Sequence, residues 1–567
     1  MIATLPRKWL GKQADLVAAK ELAEQLDLHP LVARVLTTRN CSRVESAEAF
    51  LNADRTALLD PFLMHDMGRA VHRIRQAVQA GERIRVVGDY DVDGVTSTTL
   101  MVRTLRQLGA NVDWYVPSRF TDGYGLNPTI VENAARDGIH LIVTVDNGIA
   151  AFGAAARAKE LGLDVIVTDH HHIGDIPNVY AIVHPAFPKT MYTFHDLCGA
   201  GVAFKVAQAL LGRFPEEYLD LVALGTVADQ MPLIGENRVL VKEGLVQINR
   251  EQTCPGIAAL IEVAGLVGKP ITSDNLAFQL APRVNAVGRL ATADVAVDLM
   301  LADAKSLASQ LAGELDLYNN RRKALQNEVE QQALQQIEEH PEWLEQRGLV
   351  VAGENWHEGV IGIVAGHLTE RFHQSTLCLS LNGDHVKGSG RAIPNFDLYR
   401  TLADVQHTTG IFTKWGGHEA AAGMSLFAED VDRLRTAYCE AVEQNWFEDV
   451  ELEPFVDCDA PLDLSELSYR LVDDVRLLGP FGQGNPEPVF FIRDAQVVRV
   501  QTMGKNNQHL KIWVRDGIGR MYPVLAFGHG DQVQDWENVL RRHLLVTVGD
   551  NHWNGERMLQ LRLVDAK

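Results

Sequence analysis

Short apolar runs alternate with helical patterns from about residue 80 to about residue 300. Three of the runs end at Val87, Val145 and Val167, and apolar residues then recur at helical spacing, as in residues 94–108 and 150–161. Strands that alternate with helices are typical of a parallel sheet with right-handed crossovers. We therefore predict an α/β domain here, and a second α/β segment follows from Gly348 to about residue 445.

The remaining segments have other periodicities. Residues 1 to about 75 show an amphipathic helical pattern. No Gly or Pro interrupts a polar helical pattern between Glu314 and His340, as expected of a helix that connects two domains. Short alternating runs near the end are typical of a small, OB-like β-barrel. We therefore expect five parts along the chain. They are a helical segment packed on the first α/β domain (1–75), the first α/β domain itself (76–304), a connecting helix (305–340), a second α/β domain (341–447) and the barrel (448–567).

Composition narrows the class of protein. The chain has 567 residues, of which 46% are hydrophobic and 22% charged, as in ordinary globular proteins of several domains. The formal net charge is −21, so any positive surface for a nucleic acid must be local. The six cysteines are scattered without a Cys-x-x-Cys pair, which disfavours a disulfide framework and a zinc–thiolate site. Because no apolar run has membrane-spanning length, we expect a cytoplasmic enzyme.

Acidic residues and histidines fall at the ends of the predicted strands. Because the carboxyl ends of parallel strands share one edge of a sheet, side chains from these segments should converge there. Four distant segments supply them: Asp89, Asp91 and Asp93 after Val87; Asp146 after Val145; Asp169, His170, His171 and His172 after Thr168; and Asp229 after the apolar stretch 221–227.

Such a cluster predicts bound metal. Carboxylates a few ångströms apart repel one another and raise one another's pKa unless a divalent cation neutralises them. Asp and His ligands without thiolates favour Mn²⁺ or Mg²⁺, and six or seven ligands are too many for one ion, so two ions are expected. A single Asp after a strand is usually a helix cap, and a single loop His is usually polar surface. The same feature in four segments favours the two-metal interpretation.

These residues also carry a family resemblance. Four motifs resemble those of the DHH phosphoesterase superfamily: Gly88-Asp-Tyr-Asp-Val-Asp-Gly94, Val145-Asp-Asn-Gly148, Thr168-Asp-His-His171 and Gly225-Thr-Val-Ala-Asp229. Others are similar to those of its RecJ family of single-strand-specific DNA exonucleases: Val116-Pro-Ser-Arg119 with Gly123-Tyr-Gly-Leu126, Ala281-Pro-Arg-Val-Asn-Ala-Val-Gly-Arg289, Gly416-Gly-His418, Leu478-Gly-Pro-Phe-Gly482 and Gly484-Asn-Pro-Glu-Pro488. The resemblance covers about residues 70–567 and implies a DHH domain and a DHH-associated domain.

The resemblance implies roles for individual residues. The metal ligands would be Asp91, Asp93, Asp146, His170, His171 and Asp229, and Asp89 and Asp169 would complete the catalytic motifs. The substrate contacts would be Arg119, Arg283, Arg289, Gly388, Ser389, Gly390, Arg391 and His418. In the family, the element at residues 387–391 receives the 5′-terminal phosphate. Pyrophosphatase-type relatives have a histidine where this sequence has Val87, which favours the nuclease branch.

The residue types in two segments suit binding of a nucleic-acid strand, independently of the resemblance. In residues 387–391, glycines would let backbone N–H groups approach a phosphate, and Arg391 could grip two of its oxygens; a simple tight turn is the alternative. Residues 501–567 contain nine Lys and Arg residues and seven Asp and Glu residues, so this segment is slightly positive although the whole chain is negative. Aromatic residues suited to stacking on bases, or to the barrel core, lie among them: Trp513, Tyr522, Phe527, Trp536 and Trp553.

The activity that the resemblance implies is 5′ to 3′ hydrolysis of single-stranded DNA to 5′-mononucleotides, with two Mn²⁺ or Mg²⁺ ions, in recombinational and mismatch repair. It also implies a monomer associated with the nucleoid, with single-strand-binding protein and a RecQ-type helicase as partners. Two alternatives stay open. A phosphodiesterase for short RNA or cyclic dinucleotides would share the chemistry but tends to lack the barrel, and a non-catalytic DNA-binding scaffold would lose metal ligands.

Overall fold

The structure is a computed structural model that describes residues 7–446, 454–553 and 555–567. It confirms the predicted fold class: a long helix joins a parallel-sheet α/β domain to a second α/β domain, and a small β-barrel forms the C-terminal part. All six cysteines are unpaired thiols. No helix in these residues is both long enough and apolar enough to cross a bilayer.

The N-terminal part contains a short strand and four helices. They are β1 (Lys8–Gly11), α1 (Leu16–Gln25), α2 (Pro30–Thr38), α3 (Val44–Asn52) and α4 (Met67–Ala80). Asp15 begins α1 by accepting hydrogen bonds from the amides of Val17 and Ala18, each at 3.0 Å. The sequence predicted only helices here; β1 departs from that because its partner is a strand near the C-terminus, which no local pattern reveals.

Five parallel strands form the first sheet, in the order β3-β2-β4-β5-β6. The central strand β4 is buried at all five positions, as expected where helices cover both faces of a sheet. The elements are β2 (Arg83–Val87), α5 (Val92–Gln107), β3 (Asn111–Tyr115), α6 (Pro128–Arg136), β4 (Leu141–Val145), α7 (Phe152–Leu161), β5 (Asp164–Thr168) and β6 (Ala181–Val183).

A helical region completes this domain and leads into the long helix. It comprises α8 (Gly199–Leu211), α9 (Leu219–Ala228), α10 (Gly235–Asn249), α11 (Pro255–Val263), α12 (Ser273–Asn275), a π-helical turn (Leu276–Leu280), α13 (Ala281–Leu290), α14 (Asp294–Leu301) and the long helix α15 (Lys305–Glu339). Helix α9 is buried at nearly every position, so its sequence shows an apolar run instead of an amphipathic stripe.

The second sheet is mixed, with the strand order β10-β11-β9-β8-β7. Strands β7 and β8 are parallel and the other neighbours are antiparallel. Its elements are β7 (Gly348–Glu354), α16 (Glu358–Phe372), β8 (Ser375–Asn382), β9 (His385–Arg391), α17 (Leu398–Thr409), β10 (Lys414–His418), β11 (Ala421–Phe427) and α18 (Val431–Gln444).

The C-terminal strands close into a five-stranded barrel. Its order is β14-β15-β16-β18-β17, and pairing of β14 with β17 completes the ring. The elements are β12 (Phe455–Cys458), β13 (Ala460–Pro461), α19 (Tyr469–Leu477), β14 (Phe490–Met503), β15 (His509–Arg515), β16 (Met521–Ala526), α20 (Val533–Glu537), β17 (Arg541–Trp553) and β18 (Glu556–Ala566). Closure leaves no long unpaired edge.

Helices α1 to α3 share a hydrophobic core with the barrel. Leu22, Leu31 and Leu36 are fully buried in one cluster with Leu471 and Phe490. We expected residues 1–75 to pack on the first α/β domain. The part after α3 does so, since Lys205 Nζ on α8 donates to the carbonyl of Leu59 at 2.8 Å, whereas α1 to α3 share their core with the barrel. Amphipathic periodicity shows only that a helix buries one face, not which surface covers it.

The described residues form two compact units. One takes those within Met1–Leu10 and Leu317–Val456, and the other takes Gly11–Asp316 and Asp457–Lys567. The second unit therefore contains the parallel sheet, the N-terminal helices and the barrel.

Candidate metal centre

The loop after β2 presents three aspartates beside the start of α5. The carboxylate of Asp91 caps α5 by accepting the amide hydrogen of Gly94 at 3.0 Å. Asp93 lies in the first turn, and its two oxygens accept the amides of Gly199 and Ala200 at 2.6 and 2.8 Å. These amides are at the N-terminus of α8, where free N–H groups and the helix dipole favour a negative charge.

A tight turn after β4 delivers Asp146. Its φ of 62° lies in the left-handed region, which is rare for a non-glycine residue and is associated with functional sites. The amide of Asp146 donates to the carbonyl of Thr168 at 3.1 Å. A side chain at Gly199 would place its Cβ 2.5 Å from Cβ of Asp146, so only glycine permits this approach of α8.

Two histidines follow β5. His170 Nε2 lies 3.1 Å from Asp146 Oδ1 and 3.7 Å from an oxygen of each of Asp93 and Asp229. His171 is oriented by Asp169, whose carboxylate lies 2.7 Å from its Nδ1. Asp169 also accepts the amides of both histidines, at 2.7 and 3.1 Å.

Asp229 comes from a helix and not from a strand. It caps the C-terminus of α9, directly after Ala228, and its amide donates to the carbonyl of Gly225 at 2.9 Å. The sequence interpretation placed all four segments at strand ends, and it is wrong for this one. A buried helix and a buried strand both show a continuous apolar run, so periodicity could not separate them.

The four segments meet in three overlapping groups of ligand atoms. Within each group the candidate atoms lie within 4.8 Å of one another: Asp146, His170 and His171; Asp93, His170 and Asp229; and Asp89, Asp91 and Asp146. The groups share Asp146 and His170, as expected of two neighbouring ions with common ligands.

The electrostatics of the cluster are unfavourable without a cation. Burial and the neighbouring carboxylates raise the pKa of Asp89 and of Asp229 to about 8. The same causes raise the pKa of Asp91 and of Asp146 above its ordinary value. One buried oxygen of Asp89, Oδ1, has no hydrogen-bond partner in the described part of the chain. Crowded carboxylates, imidazole nitrogens and an orphaned oxygen fit divalent cations with oxygen and nitrogen ligands.

Asp169 and His171 behave as an ion pair instead. Burial opposes ionisation of both groups, yet the hydrogen bond from His171 lowers the pKa of Asp169 to about 2. The same hydrogen bond raises the pKa of His171 to about 9. Asp169 belongs to none of the three groups and acts by positioning the His171 loop. His172 is exposed.

The three predicted arginine contacts differ in their surroundings. Arg119 stacks on the ring of Tyr90 at 4.5 Å, next to the aspartate loop. Arg283 donates from Nε to Asp316 at 2.9 Å and from Nη1 to the carbonyl of Gln279 at 2.6 Å. The first bond joins α13 to α15, and the second reaches the π-helical turn before α13. The phosphate contact of Arg283 stays a prediction. Arg289 is partly buried at the end of α13, and its role stays a prediction.

Several supporting residues were not singled out by sequence reasoning. The Tyr124 hydroxyl lies 3.0 Å from His171 Nε2. Buried Asn147 donates to the carbonyls of Val87 and Val145, at 3.0 and 2.9 Å, and so joins two strand ends. Both residues stand inside motifs that the sequence displayed, in residues 123–126 and 145–148. That position was the available signal.

Two further supports come from other segments. His184 Nε2 lies 2.8 Å from the carbonyl of His171. Asn285, on α13, accepts the amide of Val92 at 3.2 Å. Neither residue belongs to one of the three groups of candidate ligand atoms, so their contribution depends on tertiary contacts.

Residues 387–391 form a central strand, β9, and not a loop or a tight turn. This strand pairs with β8 and β11 on its two sides, so its backbone N–H groups belong to the sheet. A Cβ on Gly388 or Gly390 would come within 2.6 Å of a leucine methyl in the core below. The predicted backbone contacts of Gly388 and Gly390 with phosphate are therefore wrong, because the glycines serve packing.

The side chains of this strand remain candidates for an anion. Arg391, Ala421 and His418 are register partners across three strands and share one face of the sheet. Arg391 Nη1 lies 3.3 Å from Ser389 Oγ on that face. Arg391, Ser389 and His418 thus form one polar surface of the second sheet.

The outer surface of the barrel carries aromatic and basic side chains together. Arg499 and Lys511 lie over the ring of Trp513, at 4.8 and 5.1 Å from its centroid. Phe527 is 48% exposed, with Arg562 at 5.7 Å. Tyr522 and Trp536 are buried in the core, and the side chain of Trp553 lies outside the described residues.

Comparison with known proteins identifies three family models along the chain. They are the DHH family N-terminal domain at residues 83–226, the DHHA1 domain at residues 345–444 and the RecJ OB domain at residues 458–565. The first model ends before Asp229.

Individual proteins match nearly the whole chain. A relative from Bacillus subtilis, the single-stranded-DNA-specific exonuclease RecJ, is 38% identical over 99% of this chain and 70% of its own length. The crystal structure of RecJ in complex with Mn²⁺ from Thermus thermophilus superposes with a TM-score of 0.84, at 30% identity, over 99% of this chain and 79% of that chain. A Mg²⁺ complex from the same organism gives 0.77, at 28% identity, over 99% and 78%.

We predict that the stabilisation conferred by Mn²⁺ increases with pH. Asp89 and Asp229, with a pKa of about 8, are protonated at pH 6 in the metal-free protein, so metal must displace protons. Their pKa lies above the ordinary 3.8, so the folded metal-free protein binds extra protons and loses stability as pH rises from 4 to 8. Each displaced proton makes Mn²⁺ affinity rise about tenfold per pH unit.

The measurement is the rise in unfolding temperature on adding Mn²⁺ to EDTA-stripped protein, at pH 6 and at pH 8. The rise should be larger at pH 8. The control is Asp229→Asn, which removes one titrating group and should reduce the difference. Equal rises at the two pH values would contradict a proton-linked metal centre.

Proposed function

The chain belongs to the RecJ family of single-stranded-DNA-specific exonucleases, and from that membership we propose a 5′ to 3′ exonuclease that releases 5′-mononucleotides. It is a metal-dependent hydrolase of single-stranded DNA with Mn²⁺ or Mg²⁺ as cofactor. The observation that carries the proposal is the convergence of four sequence segments into overlapping groups of carboxylate and imidazole ligands.

We propose Asp91, Asp93, Asp146, His170, His171 and Asp229 as metal ligands, together with Asp89, whose oxygen groups with Asp91 and Asp146. Two bound ions would supply a water of lowered pKa and neutralise the charge of the phosphate. The protein's part is orientation. The α8 amides fix Asp93, the left-handed turn fixes Asp146, and Asp169 fixes His171.

We propose that the polar surface of Arg391, Ser389 and His418 receives the 5′-terminal phosphate. A guanidinium binds phosphate through two parallel hydrogen bonds, and the Ser389 hydroxyl adds a donor. Side chains would bind the terminal phosphate, because the backbone N–H groups of β9 are already paired with β8 and β11.

The part of the DNA strand that lies beyond the metal centre would contact the outer surface of the barrel. Trp513 offers a stacking face, and Arg499 and Lys511 beside it offer charges to the backbone. Such contacts tolerate any base sequence, which suits an exonuclease that must pass along the whole strand.

The wider setting is also a proposal. We propose roles in recombinational and mismatch repair, as a monomer in the cytoplasm at the nucleoid, with single-strand-binding protein and a RecQ-type helicase as helpers. The complete set of candidate ligands disfavours a non-catalytic scaffold, and the barrel disfavours an enzyme for short RNA or cyclic dinucleotides.

Replacing a proposed ligand should abolish cleavage without unfolding the protein. Asp91→Ala and Asp229→Asn are expected to lower kcat by more than about 100-fold, since even indirect supports of a metal typically contribute 10–100-fold. The assay uses end-labelled single strands, with either end blocked, and Mn²⁺. His172→Ala serves as control, and cleavage from the 3′ end or unchanged rates in the ligand variants would refute the proposal.

Arg391→Ala should discriminate between strand ends. A hydrogen bond to a charged group contributes about 1.5–3 kcal/mol, so kcat/KM on 5′-phosphorylated strands should fall at least about tenfold more than on 5′-hydroxyl strands. Arg433→Ala, an exposed arginine of the same domain paired with Asp430, is the matched control. Equal losses on both substrates would show that Arg391 does not recognise the terminal phosphate.

Trp513→Ala should weaken binding of single-stranded DNA by about 1–3 kcal/mol, the usual contribution of one base stacked on an aromatic ring. The measurement is fluorescence anisotropy of a labelled oligothymidylate in EDTA, so that cleavage does not interfere. Phe152→Ala removes another partly exposed aromatic side chain, on α7, and should leave affinity unchanged. Unchanged affinity in Trp513→Ala would exclude this surface.

A further inference from the structure

The segment between α19 and β14 is a compact, internally bonded loop. We call residues 478–486 the connector loop. Buried Asn485 donates from Nδ2 to the carbonyls of Leu478 and Pro480, at 2.9 and 2.7 Å. The backbones of Gly482 and Asn485 exchange hydrogen bonds at 3.0 and 3.1 Å. Arg238 Nη1 also donates to the carbonyl of Leu478 at 2.9 Å, and Arg39 Nη2 donates to that of Pro486 at 2.6 Å. These bonds give the loop a defined shape.

The connector loop contacts the residues that follow Asp229. The amide of Leu233 donates to the carbonyl of Gln483 at 2.8 Å. A Cβ on Gly482 would lie 2.8 Å from Leu233 Cδ1, and a Cβ on Gly484 would lie 2.9 Å from Cβ of Pro232. The two glycines let the loop approach residues 232–233 more closely than any other residue type would permit.

Residues 229–233 connect the connector loop to Asp229, the proposed ligand. Gln230 has a φ of 56°, and the amide of Met231 donates to Thr226 at 3.2 Å, so the chain turns back tightly on the end of α9. Leu233, at the far end of the turn, is buried and bonded to the connector loop. A shift of the loop would therefore move a short, constrained segment that begins at Asp229.

Within the described residues, Asp229 lacks the hydrogen bonds that hold Asp93 and His171 in place. Two amides bind the carboxylate of Asp93, and Asp169 orients His171. In the described part of the chain, no N–H group of the protein donates to the Asp229 carboxylate, and its side chain is 27% exposed. Its position depends on the backbone that precedes and follows it.

A second contact leads from the loop to the aspartate motif. Ser273 Oγ donates to the carbonyl of Phe481 at 2.6 Å. Ser273 begins α12, which continues through the π-helical turn into α13. There Asn285 accepts the amide of Val92, between Asp91 and Asp93. Two segments that contact the connector loop thus lead to proposed ligands.

We propose that the connector loop is a positioning element of the metal centre, which sets the placement of Asp229 through Pro232 and Leu233. The proposal rests on the metal site put forward above. It gives the segment that leads into the barrel a role in metal binding, separate from any contact between the barrel and DNA.

The test compares two glycine variants of the full-length protein. Gly484 has a φ of 69° and Gly519, in a barrel hairpin, has a φ of 94°, so alanine strains the backbone at both. Only at Gly484 would the new Cβ meet another segment, since nothing lies within 4 Å at Gly519. Calorimetric titration of EDTA-stripped protein with Mn²⁺ should show at least about tenfold weaker binding in Gly484→Ala. Gly519→Ala should bind within about twofold of the unaltered protein.

Binding of single-stranded DNA in EDTA should be unchanged in Gly484→Ala, because Gly484 lies in the connector loop and not on β14 or β15, which carry Arg499, Lys511 and Trp513. Equal Mn²⁺ affinities in Gly484→Ala and Gly519→Ala would overturn the proposal. If the unaltered protein bound no Mn²⁺, the proposed metal site would be wrong. If it bound Mn²⁺ and both variants bound it equally well, only the role of the connector loop would be wrong.

A second pair of variants guards against misfolding of Gly484→Ala. Gly482→Ala should also weaken Mn²⁺ binding, because its Cβ meets Leu233 Cδ1. Adding Leu233→Val removes that methyl group and should restore at least part of the affinity. Failure of Gly482→Ala to change Mn²⁺ affinity, with circular dichroism showing a folded protein, would overturn the proposal.

Discussion

Mutual repulsion among buried carboxylates is the constraint that organises this protein. Asp91, Asp93 and Asp146 are brought close together with Asp89 and Asp229, although each would be more stable apart in water. Burial, and after it the neighbouring carboxylates, raise the pKa of four of these groups, Asp89, Asp91, Asp146 and Asp229. Divalent cations neutralise this repulsion, so the energetic cost of assembling the cluster becomes affinity for metal.

The surrounding structure supplies the rigidity that this assembly needs. Three of the four segments use the shared edge of a parallel sheet, and the fourth uses the end of a buried helix. Gly199 lets α8 approach closely. The N-terminal amides of α8 then donate to Asp93, and the helix packs against Asp146. Catalytic geometry is therefore maintained by backbone elements, and few of the ligands depend on flexible side-chain contacts alone.

The proposed contacts with nucleic acid are local, which is how a chain of net charge −21 can belong to a family of DNA exonucleases. Basic residues are placed where a strand would contact them, on the face of β9 and around Trp513. Elsewhere acidic residues predominate, and screening at physiological salt confines their repulsion to within about 10 Å.

Periodicity along the chain was enough to predict the fold class, the two α/β domains and the barrel. The alternation of strands with helices then predicted a parallel sheet, and with it the clustering of Asp89–Asp93, Asp146 and His170–His171 at one edge. The sequence did not show that Asp229 follows a helix, that residues 387–391 belong to a paired strand or that Arg283 bonds to Asp316. Only the tertiary structure decided these points, and also that α1 to α3 pack with the barrel and that the connector loop reaches Leu233. These features depend on which distant segments bury one another, and an apolar run or a glycine pair has the same appearance in sequence whichever surface covers it.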